Sequence, residues 1–318
     1  MADAVLELEE VTKTYGSFSA VRDLSFTVRR GDIFGFLGPN GAGKTTTLRM
    51  ILDIIRPTSG RLSVLGQPPA LAVRHRIGYL PEERGLYRRM SAARAIAYFA
   101  RLKGMPRRAA NARARELLER FGLREFANAR VMALSKGMAQ KVQVLTAIAH
   151  DPELIILDEP FSGLDPVNQL VLEQMIRELA DRGRTIMFST HVMEHAERLC
   201  NHLLLLANGE KVFDGTLAEA RAATPRRVRL EADGDLSELN ALEGVAAVHP
   251  PDGTVREFGE EERPYWEVVL RRGADPQDIL KACFDRRIAL RRFDQSEPNL
   301  HEIFVTLVGR DAMEAHQR

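Results

Sequence analysis

Short apolar runs punctuate the first two thirds of the chain. Ile33-Phe34-Gly35-Phe36-Leu37, Leu154-Ile155-Ile156-Leu157, Thr185-Ile186-Met187-Phe188-Ser189 and Leu203-Leu204-Leu205-Leu206-Ala207 are too short for helices and read as buried strands, the first of them parallel. Residues 5–12 and 20–28 read as further strands flanking a turn after Tyr15. Helical patterns cover residues 45–55, 91–103, 107–121, 136–149 and 168–182. The first should stop before Arg56-Pro57, because a residue preceding proline avoids helical geometry. Residues 83–150 thus form a helical subdomain within an α/β domain that has a mixed sheet and spans residues 1–222.

After Gly215 the pattern changes. Residues 227–231, 245–249, 265–270 and 288–293 alternate like strands, while 236–242, 276–284 and 300–308 look helical. The βαββαβ order predicts a small ferredoxin-like or related α+β domain over residues 223–318. Pro250-Pro251-Asp252-Gly253 and residues 259–264 mark exposed, charged turns. In the last helix, Asn299 can act as cap, and Leu300, Ile303, Phe304 and Leu307 make one apolar face. His301 and Glu302 have the wrong spacing and number for a metal site and read as solvated surface.

Composition narrows the setting. The 318 residues exceed one average domain, and a net charge of +1 gives no global polycation for nucleic acid. Arginines outnumber lysines but are spread along the chain and read as solvated surface. The two cysteines, Cys200 and Cys283, fall one in each domain, which fits free thiols in a reducing cytoplasm. No signal peptide opens the sequence and no apolar run approaches membrane-spanning length.

The chemistry gathers at the ends of the apolar strands. The run at 33–37 leads into Gly38-Pro39-Asn40-Gly41-Ala42-Gly43-Lys44-Thr45-Thr46, which has the spacing of a phosphate-binding loop. Its glycines let successive backbone N–H groups point inward as an anion nest, facing the positive end of the following helix. Lys44 would reach the β- and γ-phosphates of a nucleotide, and the Thr45 hydroxyl would ligate Mg²⁺. The second run ends in Asp158 and Glu159. Ligands of open α/β sheets bind at the carboxyl ends of strands, so both carboxylates should arrive beside the loop. Asp158 would hold Mg²⁺ through its water shell and Glu159 would polarise the attacking water. His191 follows the third strand on the same side.

Taken with Leu134-Ser135-Lys136-Gly137-Met138, Ser162-Gly163-Leu164-Asp165 and Ser189-Thr190-His191, these segments resemble the nucleotide-binding subunit of ATP-binding-cassette (ABC) transporters over roughly residues 5–220. The segment at 134–138 is similar to the family's Leu-Ser-Gly-Gly-Gln signature, departing at Lys136 and Met138. The resemblance implies that Ser135 and Gly137 contact the γ-phosphate of ATP held by a second cassette, so that two chains complete two sites head to tail. It implies that Tyr15 stacks on adenine and that His191 touches the γ-phosphate and orients Glu159. It places Glu82 where the family has a glutamine that contacts Mg²⁺ and senses the membrane partner; a carboxylate can still ligate Mg²⁺.

The segments 79–87, 134–143 and 297–304 resemble ATPases of the NatA kind, which serve ABC-2-type exporters, and extend the likeness to about residue 310. The function implied is ATP hydrolysis coupled to transport by ABC-2-type membrane permease subunits, at the inner face of the cell membrane. A soluble ABC ATPase of translation or DNA repair is the first alternative, although tandem cassettes and long coiled-coil insertions are absent. A nucleotide-regulated binding module is the second. A GTPase is disfavoured, since no Asn/Thr-Lys-x-Asp motif occurs.

Overall fold

The computed structural model describes residues 3–68, 72–83, 85–251, 265–271, 273–295 and 297–309. The chain begins with a hairpin of β1 (Ala4–Tyr15) and β2 (Phe18–Arg29), followed by β3 (Ile33–Leu37), α1 (Lys44–Ile51), β4 (Ser59–Val64) and β5 (Ile77–Leu80). Three helices come next: α2 (Ala92–Leu102), α3 (Arg107–Arg120) and α4 (Lys136–Ile148). Then follow β6 (Leu154–Asp158), α5 (Pro166–Asp181), β7 (Thr185–Thr190), α6 (Met193–Leu199), β8 (His202–Ala207) and β9 (Glu210–Gly215).

The buried runs make a six-stranded sheet of order β5-β6-β7-β3-β8-β9, parallel except for β9. Every residue of β6 and β7 is buried, as a sheet covered on both faces requires. A separate antiparallel sheet, β2-β1-β4, shares its core with this one. Phe26 of β2 stacks on Phe34 and Phe36 of β3 at 5.5 and 5.8 Å between ring centroids. Leu48, Met50 and Ile51 of α1 join the same cluster, so the helix that follows the phosphate loop is anchored by apolar burial. It stops at Ile51, short of the expected residue 55, because Asp53 takes a left-handed backbone (φ 54°) and the Ile54 N–H turns back to the Arg49 carbonyl. α2, α3 and α4 pack on one another.

One half-buried histidine should give this domain a pH dependence. His150, just after α4, places Nε2 3.1 Å from the Ile77 carbonyl, and its buried Nδ1 has no partner among the described residues. Burial first, then the charge of Lys103, holds its pKa down at about 4. Its ordinary value is ~6.5, so between the two values the unfolded chain binds the extra proton. Stability present above the unfolded value is lost as pH falls toward the folded one. Discounted for partial exposure, the loss should be about 1–2 kcal/mol. Thermal melts taken between about pH 7 and about pH 4.5 should show a shallower decline for His150→Gln than for wild type. Parallel declines would contradict this.

The remaining elements are α7 (Leu217–Ala223), β10 (Arg227–Ala232), β11 (Val245–His249), β12 (Trp266–Leu270), α8 (Pro276–Asp285), β13 (Leu290–Asp294) and α9 (Leu300–Val308). Contacts divide the chain into Met1–Thr216 and Leu217–Arg318. The division falls earlier than residue 222 because α7 packs against α9 of the second unit. In that unit the sheet order is β11-β12-β10-β13, all antiparallel, which is the order expected for a ferredoxin-like βαββαβ chain. The helix expected at 236–242 is instead a 3-10 turn, Ser237–Ala241, that buries Leu239. α9 carries the expected Asn299 cap, closed into a reciprocal box by Glu302, and buries Leu300, Ile303 and Phe304. The charged turns expected at 252–253 and 259–264 lie outside the described residues.

Candidate functional site

The phosphate loop joins β3 to α1, and its shape depends on glycine. Gly41 and Gly43 hold positive φ (81° and 99°). A Cβ on Gly38 would lie 2.2 Å from the Leu206 carbonyl oxygen, and one on Gly43 2.5 Å from that of Ala20, so neither position admits a side chain. Gly43 is also the N-cap of α1 and leaves the first N–H groups without a side-chain acceptor. Those donors, together with the helix dipole, favour an anion. By contrast Ser135, Asp165, Asp275 and Asn299 cap their own helices with side-chain oxygens.

Lys44 is buried at the mouth of the loop. Its Nζ donates to the Gly38 and Pro39 carbonyls at 2.6 and 3.2 Å and lies 3.7 Å from Glu159 Oε1. Burial lowers its pKa, opposed by the charges of Glu159 and Asp158. Glu159 sits between two cationic or cationisable groups, since its Oε2 is 3.0 Å from His191 Nδ1. It is 8% exposed, and its backbone is held left-handed (φ 46°) by N–H bonds to the carbonyl and the hydroxyl of Ser189, both at 3.2 Å. A non-glycine residue in that region stores strain and persists only where its surroundings impose it. Asp158 accepts the Ser189 hydroxyl at 2.5 Å. Burial raises its pKa, with the Ser189 hydrogen bond opposing the shift.

A groove of about 240 Å³ brings together Pro39, Asn40, Gly41, Gly43, Lys44, Thr45, Thr46, Glu82 and Glu159. Gly38 and Ala42 contribute loop backbone, whereas Asp158 and His191 reach the groove through Glu159 and Ser189. Tyr15, Ser135 and Gly137 do not line it. A larger open groove, about 1030 Å³, on the β1–β4 sheet carries none of the motif residues. Two contributors were not read from the sequence. Phe18 lines the phosphate-loop groove, is 63% exposed, and is the cross-strand partner of Tyr15 at the hairpin tip. Its signal was a second aromatic across a tight turn. Gln143, buried in α4, donates through Nε2 to the Pro81 and Glu83 carbonyls at 3.3 and 3.2 Å and so tethers the loop bearing Glu82. An amide among the buried positions of α4, flanked by Val142 and Val144, is the available clue.

Ser135 accepts the Met138 N–H at 3.3 Å as N-cap of α4. The segment after Glu159 packs on this helix start. A Cβ at Gly137 would lie 2.4 Å from Asn168 Cγ, and one at Gly163 2.0 Å from Lys136 Nζ. Asp165 in turn caps α5 and accepts the Asn168 backbone and side-chain N–H groups at 3.0 and 2.6 Å.

This combination of glycine loop, strand-end carboxylates and a capped helix beside them has close counterparts. The sequence profile described as "ABC transporter" matches residues 21–162, and that of the DrrA1-3-like ATP-binding protein C-terminal domain matches residues 215–308. The chain is 41% identical over 307 residues to the uncharacterized ABC transporter ATP-binding protein YhaQ of Bacillus subtilis, covering 96% of this chain and 99% of that one. It is 37% identical to the Nod factor export ATP-binding protein I of Rhizobium meliloti, covering 96% of this chain and 88% of that protein. With NatA of Bacillus subtilis it shares 43% identity over 203 residues, which is 62% of this chain and 82% of NatA. Among solved structures, a dimeric ATP-binding cassette bound to ADP and Pi in a post-hydrolysis state superposes with a TM-score of 0.61 at 26% identity, covering 67% of this chain and 98% of that one. The chain belongs to the ATP-binding proteins of the ABC transporter family. It is an ATPase subunit, with the DrrA-like domain appended.

Proposed function

We propose that this chain powers an ABC-2-type exporter from the inner face of the cell membrane, two cassettes closing on two ATP molecules while separate permease subunits carry the cargo. The observation that carries the chemistry is Glu159, buried between Lys44 and His191 at the carboxyl end of β6. The relatives named for Nod factor export and NatA support the transport side, as does the DrrA-like domain. Among the described residues no helix is long and apolar enough to cross a membrane.

In this reading Lys44 and the loop N–H groups from Gly41 to Thr46 grip the β- and γ-phosphates. Tyr15 and Phe18, at the hairpin tip, offer faces for adenine. Glu159 accepts a hydrogen bond from the attacking water and aligns it, and His191 fixes the carboxylate's direction while donating toward the γ-phosphate. The oxygen donors Thr45, Asp158 and Glu82 form a hard set that suits Mg²⁺. Bound there, the ion would neutralise charge building on the phosphate oxygens. Ser135 and Gly137 start a helix whose N–H groups serve the partner cassette's ATP.

Copurification from native membranes tests the transport reading. A polytopic permease should accompany the chain, and adding it back in vesicles should raise ATP turnover. A chain that purifies alone and whose turnover ignores membranes would contradict it.

A further inference from the structure

The helical subdomain holds a second groove that takes no part in nucleotide chemistry. It has a volume of about 760 Å³ and runs between α2 and α3, with the turn after α3 at one side. Four exposed arginines converge on it: Arg94 and Arg101 from α2, Arg107 and Arg115 from α3. None has an ion-pair or side-chain hydrogen-bond partner among the described residues. A fifth, Arg124, is neutralised by Glu119 at 2.7 Å. A chain with a net charge of only +1 therefore concentrates about four unopposed positive charges in one cleft. Like charges held together without counter-charges repel, and an anionic ligand would relieve that repulsion.

The spacing says what kind of anion. Arg94 and Arg101 stand two helical turns apart, as nearly do Arg107 and Arg115, so each wall presents guanidinium groups roughly 10–12 Å apart along the helix. A single small anion cannot engage both ends of a wall. A row of phosphates can, and the guanidinium fork matches phosphate oxygens in pairs. Exposed apolar residues adjoin the arginines in sequence: Leu102 (62% exposed) follows Arg101, and Phe126 (40% exposed) lies two residues after Arg124. Arginine beside exposed apolar side chains is the combination that binds at a lipid–water boundary.

We infer that the α2–α3 groove binds the headgroup phosphates of anionic membrane lipids, an attachment separate from the permease; this rests on the membrane-side placement proposed above. Three measurements on the purified full chain test it: sedimentation with phosphatidylglycerol vesicles, sedimentation with phosphatidylcholine vesicles, and ATP turnover without vesicles. Wild type should bind the anionic vesicles and not the neutral ones, and lose binding as salt rises. The Arg94→Gln/Arg101→Gln/Arg107→Gln/Arg115→Gln variant should bind up to about a thousandfold more weakly. Its turnover without vesicles should stay unchanged, as should the vesicle binding of a control with four other exposed arginines replaced (Arg182, Arg226, Arg286 and Arg287). The inference fails if wild type ignores anionic vesicles, if the control loses as much binding as the groove variant, or if the groove variant binds like wild type. It fails also if polyglutamate saturates the groove while vesicles do not. Loss of turnover in wild type itself would instead count against the ATPase reading and leave the lipid result intact.

Discussion

Replacing Glu159 by glutamine should leave ATP binding close to wild type and lower turnover by at least about a hundredfold, the scale of a lost base contribution. Glutamine keeps the shape of the side chain and leaves the glycine nest and Lys44 untouched. It removes the charge that lies between Lys44 Nζ and His191 Nδ1, so the water loses its strongest acceptor. With ATP and Mg²⁺ present, the variant should also elute as a dimer in size exclusion, because closure is no longer followed by hydrolysis. Wild-type turnover in Glu159→Gln would move the catalytic role elsewhere.

Lys44→Ala should instead fail at binding. A charge-assisted contact is worth roughly 1.5–3 kcal/mol, which corresponds to about tenfold or more in affinity. Burial already lowers the lysine's pKa, and the carboxylates of Glu159, Asp158 and, more weakly, Glu82 favour its charged form. Removing the ammonium leaves those acids facing the phosphates uncompensated, so turnover should vanish as well. A folded Lys44→Ala protein with unchanged ATP affinity would overturn the phosphate-loop assignment.

The positions of these groups were readable from the sequence where a strand delivers them. An apolar run too short for a helix ends at a fixed point, so the sequence alone sets Gly38, Asp158 and His191 on one side of the sheet. What the sequence hid were contacts made by backbone detail. The left-handed turn at Glu159 is imposed by Ser189 across β7, and no local signal marks a non-glycine residue there. Phe18 is hidden in the sequence because a hairpin end reads as one aromatic position, whereas cross-strand pairing sets Phe18 opposite Tyr15. α1 ended early because Asp53 reverses the chain before the proline rule applies. In the second unit the observed order β11-β12-β10-β13 is one that a ferredoxin-like βαββαβ chain forms. Its first crossover is a 3-10 turn, at which Leu236 and Leu239 are buried and Leu242 packs against the same core.

Ser135 and Gly137 are the residues for which sequence likeness and single-chain geometry diverge, since neither lines the groove of its own phosphate loop. If each site is shared between two copies, Ser135→Arg should bind ATP as a monomer yet fail to turn over, with a bulky cation at the start of α4. Mixing it with Lys44→Ala then gives the most direct measurement. Each mixed dimer would hold one site wild type in both halves and one carrying both lesions. With free exchange of subunits and independent sites, an equimolar mixture should recover about a quarter of the wild-type rate, although each parent is inactive. A mixture no more active than its parents would contradict the shared site and place catalysis within the single chain.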